Sequence, residues 1–227
     1  MIMKSIFLFF LLGFSISVFA QKKTYDTLPN LPEHYVTRYQ LFQKEPIVTG
    51  RVVMVGNSIT EGTDWKRLLN DTTIINRGIS GDVTFGVLNR LKEITDRKPS
   101  KLFLLIGVND LSRNTPDEVI IENIFSIVGK IHSQSPATAI YIQSILPLNE
   151  SLKNLYQAFR EKGEHVKTIN SQLKKYDKKL KYTYVDLYSN FLDADGKMDA
   201  KFTYDGLHLS ATGYNHWVEV LKKGKYL

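Results

Sequence analysis

Five short apolar runs alternate with longer amphipathic stretches along the chain. The runs contain many β-branched and aromatic residues and few polar ones, which is typical of strands covered on both faces. Starting at residues 51, 72, 101, 138 and 182, they read RVVMVG, TTIINRG, KLFLLIG, TAIYIQSIL and YTYVDLY. This pattern predicts five strands of a parallel sheet.

The stretches between these runs have the apolar spacing of helices. Residues 82–98 carry one apolar stripe, with Asp82 in the position of an N-cap. Residues 115–134 begin with Thr115 as a cap, then a proline and two acids, a typical helix start. A longer helical region follows Asn154, and a last helix is capped by Ser210 or Thr212. Alternating strands and helices predict right-handed βαβ units, and hence a three-layer α/β/α domain with a flavodoxin-like, doubly wound, five-stranded parallel sheet.

The first fifty residues lie outside this alternation. Residues 1–20 have a lysine, a run of apolar residues and small residues at Val18 and Ala20, which predicts a signal peptide cleaved after Ala20 and an exported, periplasmic or secreted protein. A membrane anchor is the alternative, but the run is shorter than a span of about 20 residues. Residues 21–50 form a polar lead-in with one short amphipathic helix, and residues 51–227 form a single domain.

Composition narrows the possible partners. The formal charge is +7, or +6 without Lys4 of the leader, but the lysines are scattered and no arginine-rich or aromatic-interleaved segment is present. The sequence therefore predicts a solvated basic face and no nucleic-acid partner. With no cysteine there is no disulfide and no lipidation site, so no stable membrane anchor is expected. The oligomeric state stays open.

Reactive residue types follow four of the predicted strands. Ser58 follows the first, Gly78 and Gly81 follow the second, and Asn109 follows the third. Asp205 and His208 follow the fifth, just before the last helix. Because ligands of open parallel sheets bind beyond the carboxyl ends of the strands, we expect these residues to meet at one edge.

Together these residue types could carry out nucleophilic acyl transfer. A serine hydroxyl becomes a useful nucleophile when a histidine accepts its proton and a carboxylate orients that histidine. The spacing of Asp205 and His208 allows the carboxylate to meet Nδ1 while Nε2 faces Ser58. The backbone N–H groups of Ser58 and Gly81 and the Asn109 amide could then stabilise the oxyanion.

Each of these residues also has a purely structural interpretation. Ser58 alone is more often a helix cap, and the glycines alone could be turn residues. Asn109 could occupy a turn with positive φ, and Asp205 begins a common Asp-Gly turn dipeptide. Their joint placement at one sheet edge favours the catalytic interpretation.

Patterns for cofactors and metals are missing from the sequence. GISGDVTFG lacks G-x-G-x-x-G spacing, no phosphate-binding loop occurs, and GNSIT does not match the G-x-S-x-G elbow. DADGKMD has Lys197 where a calcium ligand is needed. The remaining histidines lack a second ligand at metal spacing; they are His34, His132, His165 and His216. We therefore predict no metal and no organic cofactor.

Four ordered sequence blocks resemble those of the SGNH hydrolases, the GDSL-type esterase and lipase family, and most closely its platelet-activating-factor acetylhydrolase-like branch. The blocks are VGNSIT, NRGISGD, IGVNDL and YDGLHLSATGY. The resemblance implies that Ser58 is the nucleophile, His208 the base and Asp205 its orienting acid. It also implies that Gly81 and Asn109, with the Ser58 amide, form the oxyanion hole. The chain departs from the family at Asn57, where aspartate is usual, and we expect activity to persist.

The predicted function is hydrolysis of small acyl esters, acetyl esters above all, through an acyl-enzyme intermediate. An O-acetylated carbohydrate is the favoured substrate, because the chain has an export signal and no large apolar helix suited to a lipid surface. One alternative is a lysophospholipase or thioesterase using the same triad. A non-catalytic carbohydrate-binding module and a flavodoxin-like nucleotide binder are alternatives from other classes.

Overall fold

A computed structural model describes residues 31–227 of the chain. The signal peptide predicted for residues 1–20 lies outside the described residues, as does the first part of the lead-in. The strands are β1 (Val52–Gly56), β2 (Ile75–Gly78), β3 (Lys101–Leu105), β4 (Ala139–Gln143) and β5 (Thr183–Val185). The α-helices of the described part are α1 (Glu33–Lys44), α2 (Ser58–Glu61), α3 (Trp65–Leu69), α4 (Thr84–Thr95), α5 (Val108–Ser112), α6 (Asp117–Gln134), α7 (Gly163–Leu180) and α8 (Ala211–Lys223).

The five strands form one parallel sheet in the order β2-β1-β3-β4-β5. This confirms the predicted α/β fold, and the order is that of flavodoxin-like sheets. Gly56 at the end of β1 pairs with Gly78 of β2 and with Leu105 of β3. The carboxyl ends of the three strands are therefore level, so the segments that leave them start from the same edge.

Burial on both faces explains why the strand sequences are almost continuously apolar. Val53, Met54 and Val55 of β1 are each at most 1% exposed, although consecutive side chains point to opposite faces. Helices cover both faces, and most of the buried apolar residues form a single cluster. None of the helices within residues 31–227 has the length and hydrophobicity of a transmembrane span.

Three helix starts can be compared with their local signals, and two of them differ from the prediction. The sequence position of Asp82 predicted that it caps α4, but Val83 occupies the cap position. The Asp82 carboxylate instead accepts hydrogen bonds from Val83 N–H and from buried Arg90, both at 2.9 Å. Leaving the buried guanidinium of Arg90 without an opposite charge would cost more than the loss of a cap. Pro116 replaces Thr115 as the cap residue of α6. Of the two predicted caps of α8, Ser210 is the one observed, and it accepts from Gly213 N–H.

Helix α1 confirms the short helix predicted in the lead-in, and it packs on the domain. Tyr35 and Phe42 of α1 are at most 3% exposed and form a small apolar cluster with Ile79, which follows β2. The Tyr35 hydroxyl donates a 2.7 Å hydrogen bond to the carbonyl of Gly86 in α4. The lead-in thus contacts the loop that joins β2 to α4.

Candidate active site

The turn after β1 places Ser58 at the edge of the sheet. Asn57, which is fully buried, caps α2 by accepting a 3.0 Å hydrogen bond from Ile59 N–H. Ser58 is therefore the first helical residue and not the cap, so its hydroxyl is left available for another partner. A Cβ atom at Gly56 would lie 2.2 Å from Thr60 Oγ1 and 2.3 Å from the Leu105 carbonyl oxygen, so this tight turn requires glycine.

The loop before α8 brings His208 to Ser58 and Asp205 to His208. The distance from Ser58 Oγ to His208 Nε2 is 3.0 Å, and that from His208 Nδ1 to Asp205 Oδ2 is 2.7 Å. Because the carboxylate can only accept, Nδ1 carries the proton and Nε2 accepts from the Ser58 hydroxyl. The predicted chain of three residues is thus brought together within hydrogen-bonding distance.

Backbone contacts hold the Asp205 carboxylate in place. Its Oδ1 atom accepts from the N–H groups of Leu207 and His208, at 2.9 and 2.7 Å. Partial burial acts to raise the pKa of Asp205, but hydrogen bonds from the His208 side chain and from these two amides outweigh it and hold the pKa below its usual range. Asp205 is therefore a carboxylate at neutral pH.

The segments that follow β1, β2 and β3 each supply one of the three predicted donors, and they leave the sheet at the same edge. Gly81 lies in the loop after β2 with φ at +78°, a conformation that favours glycine. Within residues 31–227 the N–H groups of Ser58 and Gly81 have no hydrogen-bond acceptor. Asn109 Nδ2 donates to the Asp82 carbonyl at 2.9 Å, which fixes the amide and leaves its second hydrogen to donate elsewhere. These groups could bind an oxyanion.

Gly78, the other predicted turn glycine, has a different role. It ends β2, and a Cβ atom there would lie 2.2 Å from the backbone nitrogen of Glu61. Glycine is needed at this position so that the turn carrying Ser58 can pack closely on β2. The structure therefore separates the two glycines: Gly78 permits the packing and Gly81 presents its N–H.

The loop that carries Gly81 is anchored by buried charges. Arg90, which is fully buried, pairs with Asp82 at 2.9 Å and donates to the carbonyls of Gly56 and Arg77, at 3.2 and 2.8 Å. One guanidinium therefore joins the ends of β1 and β2 to this loop. Removing one partner of such a buried pair would leave an uncompensated charge, which typically costs about 3–5 kcal/mol.

Asp110 fixes the start of α4 from the neighbouring segment. Its carboxylate accepts from the Thr84 N–H at 3.1 Å and from the Thr84 hydroxyl at 2.6 Å. Burial is the main cause that raises the pKa of Asp110, to about 7, with the Thr84 hydrogen bonds acting to lower it and nearby Asp82 acting to raise it. Asp110 follows Asn109 directly, so the same short helix supplies a donor to the site and an anchor to α4.

We expect the protein to lose stability between about pH 4 and pH 7 because of Asp110. The unfolded chain releases this proton near the usual value of 3.8, whereas the folded protein holds it to about 7. The folded state then binds more protons in that window, so the free energy of unfolding falls as pH rises. A pKa difference of one corresponds to about 1.4 kcal/mol, so the loss should reach a few kcal/mol.

Asp110→Asn tests this expectation. The amide oxygen can still accept from Thr84, but the side chain cannot ionise, so the contribution of residue 110 to the pH slope should disappear. Urea denaturation of both proteins across this pH window measures the difference. Parallel pH profiles for the two proteins would contradict the assignment to Asp110.

Several residues near the site were missed by sequence reasoning. Glu61 accepts from the Ser80 N–H, Arg113 donates to the Gly81 carbonyl at 3.0 Å, and Tyr204 lies beside His208. Tyr204 stands inside a quoted sequence block and Glu61 directly follows one, so their closeness in sequence to Asp205 and Ser58 was a usable signal. No pattern of spacing pointed to Arg113, because its partner is 32 positions away.

Comparison with known proteins agrees with the fold and the sequence blocks. Residues 54–216 match the GDSL-like Lipase/Acylhydrolase family. Platelet-activating factor acetylhydrolase IB subunit alpha2 of Rattus norvegicus is 32% identical over 169 residues, which cover 72% of this chain and 70% of the relative. A GDSL-like lipase from Bacteroides thetaiotaomicron VPI-5482 superposes with a TM-score of 0.72 at 23% identity, covering 85% of this chain and 98% of that one.

A more distant structure extends the fold comparison. A variant of an acetyl-xylooligosaccharide esterase from Geobacillus Stearmophilus superposes with a TM-score of 0.62 at 14% identity, covering 79% of this chain and 95% of that one. This likeness concerns the fold alone. The family match spans most of the chain and the relative from rat shares nearly a third of its aligned residues. The chain therefore belongs to the GDSL-like lipase/acylhydrolase family, the SGNH hydrolases, and is a carboxylic ester hydrolase.

Proposed function

We propose that this esterase removes small acyl groups, acetyl above all, from carbohydrate esters, with Ser58, His208 and Asp205 as its catalytic triad. The observation that carries the proposal is the continuous chain of hydrogen bonds from Ser58 Oγ through His208 to Asp205. Turnover of p-nitrophenyl acetate by the protein and by Ser58→Ala is its first test.

The first half of the reaction forms an acyl-enzyme. Ser58 Oγ attacks the ester carbonyl carbon while its proton moves to His208 Nε2. The carbonyl oxygen becomes an oxyanion, which the N–H groups of Ser58 and Gly81 and the Asn109 amide stabilise. As the tetrahedral intermediate collapses, the ester C–O bond breaks and His208 gives the proton to the departing alcohol.

The second half releases the acid and restores the enzyme. A water molecule loses a proton to His208 Nε2 as its oxygen attacks the acyl carbon. The new tetrahedral intermediate collapses, the Ser58 oxygen leaves, and His208 returns the proton to it. Asp205 stays a carboxylate throughout and stabilises the imidazolium that forms twice in each cycle.

The preference for acetyl groups draws on the curated relative. Platelet-activating factor acetylhydrolase is named for the removal of an acetyl group, and it is 32% identical to this chain over 169 residues. Hydrolysis rates of acetyl, butyryl and octanoyl p-nitrophenyl esters distinguish an acetylesterase from a lysophospholipase or thioesterase. A rate that falls steeply beyond acetyl supports the proposal, whereas a preference for octanoyl would favour the lysophospholipase or thioesterase alternative.

Two exposed tyrosines beside the triad support a carbohydrate on the alcohol side. Tyr204 is 63% exposed and its ring lies nearly parallel to that of His208, at 11° and 5.8 Å between centroids. Tyr156 is 66% exposed and lies close enough to contribute to the raised pKa of Tyr204, after burial and Asp205. Exposed aromatic rings with a polar hydroxyl can stack on the C–H face of a sugar ring and bond its hydroxyls.

The segment that carries Tyr156 is packed on the catalytic loop. Asn149 N–H donates to the Gly206 carbonyl at 2.9 Å, and the Asn149 side chain donates to the Met198 carbonyl at 2.7 Å. Leu155, just before Tyr156, is buried. The two exposed rings are thus presented by ordered backbone next to Asp205 and His208, which lowers the entropic cost of ordering them on a ligand.

Tyr204→Ala is expected to weaken activity on acetylated xylooligosaccharides and to spare p-nitrophenyl acetate. Loss of one stacked ring is worth about 1 kcal/mol, so KM for the oligosaccharide should rise about fivefold. Tyr204→Phe, which keeps the ring, is the matched control and should stay close to the unchanged protein. Equal losses on both esters would contradict a role in binding the sugar.

A further inference from the structure

We propose that Glu61 is a positioning residue for the oxyanion loop and that helix α1 acts on the reaction through it. Here the oxyanion loop means residues 79–83, between β2 and α4. This inference rests on the proposed function, because it requires that the Gly81 N–H stabilise the oxyanion.

Glu61 joins the turn of the nucleophile to the oxyanion loop. It is the last residue of α2, the single turn that begins with Ser58. Its carboxylate accepts a hydrogen bond from the backbone N–H of Ser80, the residue before Gly81. Glu61 therefore holds the N–H of Ser80, and the next peptide group along the chain is the one that contains the Gly81 N–H. A shift of this bond would rotate the Gly81 donor relative to Ser58.

Helix α1 holds the other side of the same carboxylate. His34 Nε2 lies 3.0 Å from both Glu61 oxygens, and Arg38 Nε lies 3.3 Å from Oε1. Burial acts to raise the pKa of Glu61, but hydrogen bonds from His34 and Ser80 and the charge of Arg38 outweigh it and hold the pKa below its usual range. Glu61 is therefore an anion, which strengthens its bond to the Ser80 amide.

Contacts from α1, direct or through Glu61, reach three consecutive residues from the end of β2 into the oxyanion loop. Arg38 donates to the Gly78 carbonyl at 3.2 Å, the apolar side chains of α1 pack on Ile79, and Glu61 links α1 to Ser80. From the opposite side, the Ile79 N–H donates to the Gly56 carbonyl at 3.0 Å. The backbone is thus fixed on both sides up to the residue before Gly81, as a preorganised donor requires.

The test compares Glu61→Ala with Glu61→Gln, using p-nitrophenyl acetate as substrate. Glu61→Ala removes every contact of the carboxylate, and we expect kcat to fall about tenfold with KM within about twofold, less than the effect of deleting a donor itself. Glu61→Gln keeps an oxygen to accept from Ser80 and should recover most of kcat, although it loses the ion pair with Arg38. Circular dichroism and Tm are measured for each variant.

Asp71→Ala is the matched control. The Asp71 carboxylate also accepts from a backbone N–H, that of Thr73 at 2.8 Å, but in the loop before β2 and away from the oxyanion loop. It should leave kcat unchanged. If Glu61→Ala does not fold, Arg38→Met is the second variant, and it should lower kcat a few fold at constant KM.

The outcomes separate this inference from the proposed function. If the unchanged protein shows no turnover that depends on Ser58, both the proposed function and this inference are overturned. Ser58-dependent turnover together with a normal kcat in Glu61→Ala or Arg38→Met, whatever happens to Tm, would overturn only the positioning role. A Glu61→Gln variant as slow as Glu61→Ala would also overturn it, because the bond to Ser80 would then not matter.

Discussion

Ser58→Ala is expected to lower kcat for p-nitrophenyl acetate by about 10⁴-fold or more. Without Oγ no acyl-enzyme can form, and in serine hydrolases the loss of the nucleophile costs almost as much as loss of the whole triad. The effect should lie in kcat, because the donors for the carbonyl oxygen and the surface that binds the alcohol remain. Steady-state kinetics of the purified proteins provides the measurement.

The fold should survive this change. The Ser58 hydroxyl bonds to His208, while the cap of α2 is supplied by Asn57. Tm should therefore stay within a few degrees of that of the unchanged protein. Phenylmethylsulfonyl fluoride should add one covalent group to the unchanged protein and none to Ser58→Ala, as read by intact mass. Ser133→Ala, which removes an exposed helix hydroxyl bonded to the Lys130 carbonyl, is the control and should react normally.

A Ser58→Ala variant that keeps the full rate would show that turnover uses another group. A variant that loses both its rate and its folded state would not support the assignment of Ser58 as the nucleophile. For this reason Tm is measured together with the rate. The expected combination is a folded, unlabelled and inactive variant.

Asn109→Ala should lower kcat by about 10²–10³-fold. The Asn109 amide is the one side-chain donor among the three proposed, and removing one donor of this kind typically costs about 3 kcal/mol of transition-state stabilisation. KM should change little, because the interaction strengthens as charge develops on the oxygen. The variant also loses the bond to the Asp82 carbonyl, so a modest fall in Tm is expected.

Asn170→Ala provides a matched control for that loss of stability. Asn170 is also a buried asparagine, and its amide bonds both the N–H and the carbonyl of Ile145, each at 2.8 Å. Its removal should lower Tm at least as much while leaving kcat close to normal. If Asn109→Ala and Asn170→Ala lower kcat equally, the amide of Asn109 acts through stability and not on the oxyanion.

The local signals in the sequence were sufficient for the fold class. Strand β1 is recognisable from VVMVG because burial on both faces requires apolar residues at every position. Ser210 is recognisable as a cap because the cap bond closes within three residues. Local signals failed where a distant partner competed: Asp82 follows the rules for a cap, yet it pairs with Arg90 in the protein interior.

The candidate active site also combines features that the sequence predicted and features that only the tertiary structure decides. The sequence was sufficient to select the five candidate residues, because each stands in a short block at the end of a strand or before a helix. They are Ser58, Gly81, Asn109, Asp205 and His208. The distances between them could not be derived, since Ser58 and His208 are 150 positions apart. Only the level ends of β1, β2 and β3 bring the first three segments to one edge.

By itself, the sequence determined the five strands and the longer helices, but not the short helices α2, α3 and α5, and it determined which residues are chemically able to catalyse acyl transfer, because periodicity and residue type act locally. Tertiary structure alone decided that Asn57 and not Ser58 caps α2, that Arg90 neutralises Asp82, and that α1 reaches the oxyanion loop through Glu61. These pairings depend on which polar groups lose water together in the folded protein, since a buried donor or charge must find its partner there. The spacing of residues along the chain does not indicate which buried polar groups become partners.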